Sequence, residues 1–312
     1  MKKLKWIVLG AAALVVVAIV VVLMNLNSIV RGTVESQSAK SLNVPATLGG
    51  ASVSVLGGDV SLRNYVVGSP AGYKAPAMLT LGTLAVDTSW SGLRSEPLRV
   101  EAITIDKPTF VLEMNGTTFN VKKFIEGLPP DDSETMKLII GQLNVTGAQV
   151  LFRPDAGALS AFPGLADKLK PEYALTIPDL SLADIGTADG NANGVAVKDV
   201  VTQLLTTLAA RSAESEQLPP ELRAILSGDL SNVIATLREK GMAEATQRIG
   251  AVTETLKAKL DQELGGKAGE VTNMLKNPDA AKGAVQGAAK DAANKAVGDL
   301  LGGLKKEPTT KP

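Results

Sequence analysis

Asp131 and Asp132 are adjacent carboxylates of the kind that can share a proton in acid–base chemistry, and they follow directly on Pro129-Pro130. A prolyl pair sets a loop, where acidic side chains are ordinarily solvated, so these two read as turn residues and not as a catalytic dyad. No complementary chemistry is available, because the 312 residues include no Cys and no His. That removes thiolate nucleophiles, disulfides, Cys/His metal sites and the commonest general base at neutral pH. The sequence also lacks a Gly-x-Ser-x-Gly elbow, a Ser-x-x-Lys pair, a P-loop, a Rossmann glycine run and an EF-hand loop. Asn115-Gly116-Thr117 and Asn144-Val145-Thr146 match the glycosylation sequon, but the first reads as a hairpin turn and the second as strand. The expectation is a protein that is not an enzyme and carries neither metal nor cofactor.

Charge excludes a further class of partner. Lys+Arg 32 balances Asp+Glu 32, leaving no basic excess to neutralise a phosphate backbone, so nucleic acid is not expected. Hydrophobic residues make up 45% of the chain but aromatics only 3%, so the apolar material is aliphatic.

Part of it lies in one block. No charge occurs from Trp6 to Val30, and residues 6–26 are long enough as a helix to cross the roughly 30 Å hydrocarbon layer. Lys2, Lys3 and Lys5 precede the block, and the first charge after it is Arg31. The positive-inside rule then leaves residues 1–5 as a cytoplasmic stub and exports the bulk of the chain. The block exceeds a signal-peptide core and no small-x-small cleavage site follows it, so it reads as an uncleaved single-pass anchor.

Beyond the anchor the hydrophobic period changes twice. Residues 45–185 have strand character, 195–264 helical character, and 265–312 form a Gly/Ala/Lys-rich tail, either weakly helical or disordered. In the strand zone, Gly57-Gly58 suits a two-residue primed turn. That turn would pair Val55 with Val60, Val53 with Leu62 and Ser54 with Ser61. Downstream, apolar residues recur at spacings of two, three and two. The sets are Leu79, Leu81, Leu84, Val86; Leu98, Val100, Ile103, Ile105; Leu138, Ile140, Leu143, Val145; and Leu175, Ile177, Leu180, Leu182. A strand has period two, so each three-residue step must be reset by a bulge or bend. Gly82, Gly141 and Pro178 lie in three of the steps, and Ala102 occupies the fourth without explaining it. If neighbouring strands bend at one height, the sheet curls into a trough. Strands at Thr109–Met114 and Val150–Phe152 and a short helix at Val121–Leu128 complete this zone.

Three helical stripes follow. Val197, Val201, Leu204 and Leu208 form the first; Leu222, Ile225, Leu226, Val233 and Leu237, after Pro219-Pro220, form the second. Met242, Ala245, Ile249, Val252, Leu256, Leu260 and Leu264 form a near-heptad third, which either packs on its own domain or offers a seam to a partner. The expected fold class is therefore α+β: an N-terminal transmembrane helix, a curved, mainly antiparallel sheet, and C-terminal helices.

Several stretches resemble the AsmA family of envelope proteins. GGDVSLRNYVVGSPAGY is similar to that family's glycine-led strand entering an Asn-Pro-x-Gly-aromatic turn, with Gly58, Pro70, Gly72 and Tyr73 fitting and Ser69 in place of Asn. LGTLAVDTSWSGLRSEPLRVEAITIDKPTFVLEMNG resembles its paired strands, GTTFNVKKFIEGL its Gly-x-x-x-Asn-led helix through Gly116, Asn120 and Phe124, and MKLIIGQLNVTGAQVLFRP its following strand pair. The likeness covers residues 1–185. It implies an inner-membrane anchor carrying a periplasmic β-domain whose apolar inner face shelters phospholipid acyl chains, in lipid handling or outer-membrane biogenesis. Seven or eight strands at about 4.8 Å make a trough of only some 35 to 40 Å, too short to bridge two membranes. Candidate groove residues are Val53, Val55, Val60 and Leu62 with the first three repeat sets. Whether residues 195–264 leave that face open or plug it is the question the sequence leaves. The alternative is an envelope adaptor or oligomeric scaffold using Ile249, Val252, Leu256 and Leu260.

Overall fold

The structure is a computed structural model that describes residues 27–54, 59–130, 136–159, 169–187, 193–266 and 269. The expected anchor at 6–26, the carboxylates Asp131 and Asp132, and almost all of the tail lie outside the described residues.

The fold is α+β. Helix α1 (27–42) leads into strands β1 (Ala46–Val53), β2 (Val60–Gly68), β3 (Ala77–Asp87), β4 (Leu98–Asp106), β5 (Thr109–Asn115) and β6 (Thr118–Phe119). Helix α2 (Asn120–Gly127), strands β7 (Lys137–Thr146) and β8 (Gln149–Arg153), and the single turn α3 (Ala156–Leu159) follow. Strands β9 (Tyr173–Thr176), β10 (Leu180–Ile185) and β11 (Val195–Ala196) then give way to helices α4 (Val197–Glu214), α5 (Pro220–Glu239) and α6 (Ala243–Glu263). All eleven strands belong to one sheet. It is mixed rather than simply antiparallel, because β4 pairs parallel with β7 and β5 parallel with β8.

Several short strands are halves of longer ones. Leu98 faces Leu138 and Thr109 faces Gln149, the same offset on both sides of the break at Lys107-Pro108. β4 and β5 likewise continue one another along the same edge of β3, where Asp106 faces Thr83 and Thr109 faces Thr80. β9 and β10 do so along β8 and β7.

The breaks line up across the sheet. Gly49, Asn64, Gly82, Lys107 and Gly147 fall on one row, with Pro178-Asp179 at its end; Asn64, Lys107 and Gly147 have φ of 52°, 51° and 62°. A second row holds Glu101, Gly141 and Asp184, the last with φ of 54°. These are not bulges in the ordinary sense. A bulge adds a residue to one strand and shifts the register, whereas here each strand turns at the same height and the register is unchanged across the row. The expectation of one common bend is thus corrected to two rows. The Ala102 step, unexplained by its own residues, is accommodated by its neighbour: a β-carbon on Gly141 would come 2.7 Å from the Glu101 carbonyl oxygen.

The hairpin of β1 and β2 differs from expectation by two residues. Val53 faces Val60, Ser52 faces Ser61 and Ala51 faces Leu62, and the Ser54 amide donates to the Asp59 carbonyl at 2.8 Å. The loop closes around Val55–Gly58, which lie outside the described residues, so it is longer than a two-residue turn. Because the strand period is two, a two-residue slip keeps every side chain on its predicted face.

Helix α1 folds back along β1, with Glu35 Oε1 accepting from the Leu48 amide at 2.7 Å and Ser38 hydrogen-bonding the Tyr65 hydroxyl. Helices α2 and α4–α6 share one continuous apolar core with the inward face of the sheet. α5 lies deepest, buried at every residue from Leu222 to Leu230. Among the described residues no helix is long and apolar enough to cross a membrane.

Candidate functional site

The motif residues behind the family likeness build a clamp at one end of the sheet. Glu113, buried on β5, accepts from the Lys74 and Ala75 amides at 2.8 Å each, holding the loop between β2 and β3. Asn115 Nδ2 donates to the Gly72 carbonyl, and Gly72 has φ of 98°. The Tyr73 hydroxyl donates to the Thr118 carbonyl at 3.1 Å. Burial, with the nearby charges of Asp229, Glu113 and Glu126, pushes that phenol up to about 12, which suits a structural donor and not a proton shuttle. Asn120, wholly buried at the start of α2, donates to the Val111 carbonyl and accepts from the Glu113 amide. Asp155 takes the Gly116, Gly157 and Ala158 amides. Each of these polar groups is spent on backbone. Among the described residues no cluster of three acidic side chains is placed to hold a metal ion.

The apolar candidates divide at the Gly82 row. On the clamp side, every inward side chain of β1–β3, including Leu48, Val67, Leu79 and Leu81, is buried. On the other side, Leu62, Val100, Ile103, Ile105, Ile140, Leu143 and Val145 are also buried, whereas Val53, Val60, Leu84, Val86, Leu98 and Leu138 are only half-buried. The question whether the apolar face is open or plugged is thus answered for most of its length: α2 and α4–α6 share one core with it. A remnant persists on β1–β3, where two cross-strand ladders lie side by side: Val53–Val60–Val86 and Ala51–Leu62–Leu84. Val55 lies outside the described residues. The sequence missed that β1 and β2 carry the same skipped pattern, at Ala46, Leu48, Ala51, Val53 and at Val60, Leu62, Tyr65, Val67. Gly49 and Asn64 were the available signals.

The third helical stripe does not offer a free seam. Leu256 and Leu260 are buried in the shared core with Val252 half-buried against it, and Ile249 is buried as well. α6 is fixed to the sheet through Glu244, which accepts from the Gly186 amide at 3.0 Å, and Arg248, which donates to the Ala183 carbonyl at 2.6 Å. At the same end the bundle is also tied to α2: Lys240 Nζ donates to the Glu126 and Leu128 carbonyls, and Lys198 Nζ to that of Pro129.

Two clefts remain. A cleft of about 490 Å³ lies between α1 and the start of α4, with Val34, Pro129, Met136 and Val197 as apolar walls and Ser38 and Lys40 at its polar side. The other, about 600 Å³, is a surface depression in which Arg223 is held by Glu263 at 2.6 Å and Lys170 lies over the Tyr173 ring. Both have the volume of a ligand site, but the first is the more enclosed and the second lies open at the surface.

What the fold and site define is an α+β domain with a kinked sheet, a largely self-filled apolar face and no catalytic constellation among the described residues. No protein-family profile, curated protein or solved structure matches the chain.

Proposed function

We propose that this is a non-catalytic lipid-handling protein of the cell envelope, tethered to the inner membrane by residues 6–26 with its bulk in the periplasm, as its motif likeness to the AsmA family suggests. The observation that carries the reading is the pair of ladders Val53–Val60–Val86 and Ala51–Leu62–Leu84, half-buried at every position but Leu62, while every inward residue on the clamp side of β1–β3 is buried. An acyl chain lying on these rows gains about 0.8 kcal/mol for each methylene taken out of water. A short remnant holds part of one chain, so the protein stores or presents a lipid at its own membrane and does not carry it across the envelope.

Lipid mass spectrometry of the full chain purified in mild detergent tests this. Phospholipid should co-purify and be lost from Val60→Asp and Val86→Asp variants whose circular dichroism is unchanged. A lipid-free parent protein would sink the reading.

A further inference from the structure

Four large apolar side chains are more than a third exposed among the described residues: Ile29, Trp90, Leu93 and Met136. They are far apart in sequence, but the topology gathers them. Trp90 and Leu93 lie on the connection from β3 to β4, just past the height at which Val53, Val60 and Val86 pair. Met136 immediately precedes β7, whose Leu138 faces Leu98 at the start of β4, so it stands at the same end. Ile29 is on the first turns of α1, one turn from Thr33 and Val34, which line the 490 Å³ cleft with Met136. Because α1 runs back along β1, its N-terminus points toward this end of the sheet. The chain therefore arrives from residues 6–26 where the exposed apolar side chains are collected.

The loop that presents Trp90 is built stiff. Thr88 Oγ1 donates to the Arg99 carbonyl at 2.7 Å, Ser95 Oγ has the Gly92 and Pro97 carbonyls within reach as alternative acceptors for its one proton, and Ser89 Oγ takes the Gly92 amide. A β-carbon on Gly92 would lie 2.4 Å from the Arg99 carbonyl oxygen, so the turn is pressed against β4. A rigid loop that holds a Trp 45% exposed and a Leu 36% exposed forgoes their burial in the core.

We propose that this end of the sheet is seated in the headgroup layer of the bilayer, with Trp90, Leu93, Met136 and Ile29 as its interfacial contacts. Trp favours that layer because its ring is amphipathic. Arg94 and Lys137 are balanced by Asp87 and Glu96 around the loop, so the seating is apolar and insensitive to salt. The seat rests on residues 6–26 being an anchor, and it sets the half-covered ladders facing their lipid source.

The chain holds two tryptophans, Trp6 and Trp90, and no cysteine. In the Trp6→Phe full-length protein in phosphatidylethanolamine/phosphatidylglycerol proteoliposomes, Trp90 emission should be blue-shifted and quenched by lipids brominated near the headgroup, equally at low and high salt. A nitroxide on Trp90→Cys should be shielded from aqueous relaxant, while one on Ala71→Cys, at the clamp end, should be accessible. The nitroxide pair also reports if Trp6→Phe fails to insert. Equal aqueous access at both positions in protein that still floats with the vesicles overturns the seat and leaves the anchor standing. Failure to float overturns the anchor itself.

Discussion

A β-carbon placed on Gly49 would fall 2.8 Å from the β-carbon of Asn64, which it faces across β1 and β2. Real β-carbons do not approach so closely, so the left-handed Asn64 can sit in a sheet only because its neighbour lacks a side chain. Gly50, next along β1, has open space around it. Gly49→Ala should therefore destabilise by about 1–3 kcal/mol, as overpacking does, while Gly50→Ala stays within about 0.5 kcal/mol of the parent. Urea unfolding of the two variants decides it, and equal effects would mean that the row is not sterically enforced.

Lys107 makes the complementary case, because here the strain lies in the residue and not in its neighbour. Its φ of 51° costs an L-residue about 1–2 kcal/mol. Lys107→Gly relieves that strain but adds chain entropy to the unfolded state, so the variant should match the parent to within about 0.5 kcal/mol. Lys107→Val, β-branched and poorly suited to positive φ, should lose about 1–2 kcal/mol. A stable Val variant would show that the backbone can leave the left-handed region there.

Lys240 ties the helical bundle to the β-domain by donating to the last carbonyls of α2, at 3.0 Å to Glu126 and 2.7 Å to Leu128. A cation at a helix C-terminus also complements the helix dipole. Lys240→Met should cost about 1 kcal/mol and speed hydrogen exchange in the last turn of α2 and in α5 more than in β3 or β4. Uniform acceleration across the chain would show that the lysine supports the whole fold instead of this one junction.

The parts legible in the sequence were those set by period. The helices α4–α6 and the strands β3–β5 and β7–β8 fall close to their predicted spans because each has one apolar side, and the three-residue steps mark kinks. Three things were not legible. The Gly141 and Ala102 steps were visible, but nothing in them marked a row separate from that of Gly82, and Lys107 and Asp184, left-handed without being glycine, carried no signal of their own. The hairpin loop is longer than Gly57-Gly58 suggested, because a two-residue slip leaves the hydrophobic pattern intact. The covering of the groove depends on where the helices dock, and that is fixed by Glu244, Arg248, Lys198 and Lys240 meeting main-chain groups, a contact that no spacing records.

Acid should loosen the domain at two known points. The Leu48 amide holds the Glu35 carboxyl below its ordinary value; burial opposes it, and Arg31 adds to the lowering. Burial pushes Asp155 up, but the Gly116, Ala158 and Gly157 amides and the Lys74 charge outweigh it, so it too is held low. A carboxyl whose folded value is depressed stabilises above its unfolded value and loses that contribution as pH falls through the folded one. Stability should thus be flat near neutrality and fall from about pH 4 downward. Asp155→Asn should be less stable than the parent at pH 7 and show a shallower acid slope. An unchanged slope would remove Asp155 from the acid transition.

The helices filling the apolar face are not an ideal core. Gln203, 1% exposed on α4, has neither amide atom hydrogen-bonded, and the hydroxyl of wholly buried Thr202 is likewise without a partner. Leaving a polar group unsatisfied costs about 1–3 kcal/mol, whereas an apolar side chain of similar shape carries no such penalty. Gln203→Leu and Thr202→Val should each raise stability by about 1–2 kcal/mol in urea unfolding. If the bundle covers the face so tightly that no lipid displaces it, the gain should leave co-purified lipid unchanged. If it yields to an acyl chain, a bundle held down more firmly should retain less lipid. Stability and lipid content measured on the same two variants separate a permanent plug from one that competes with the ligand.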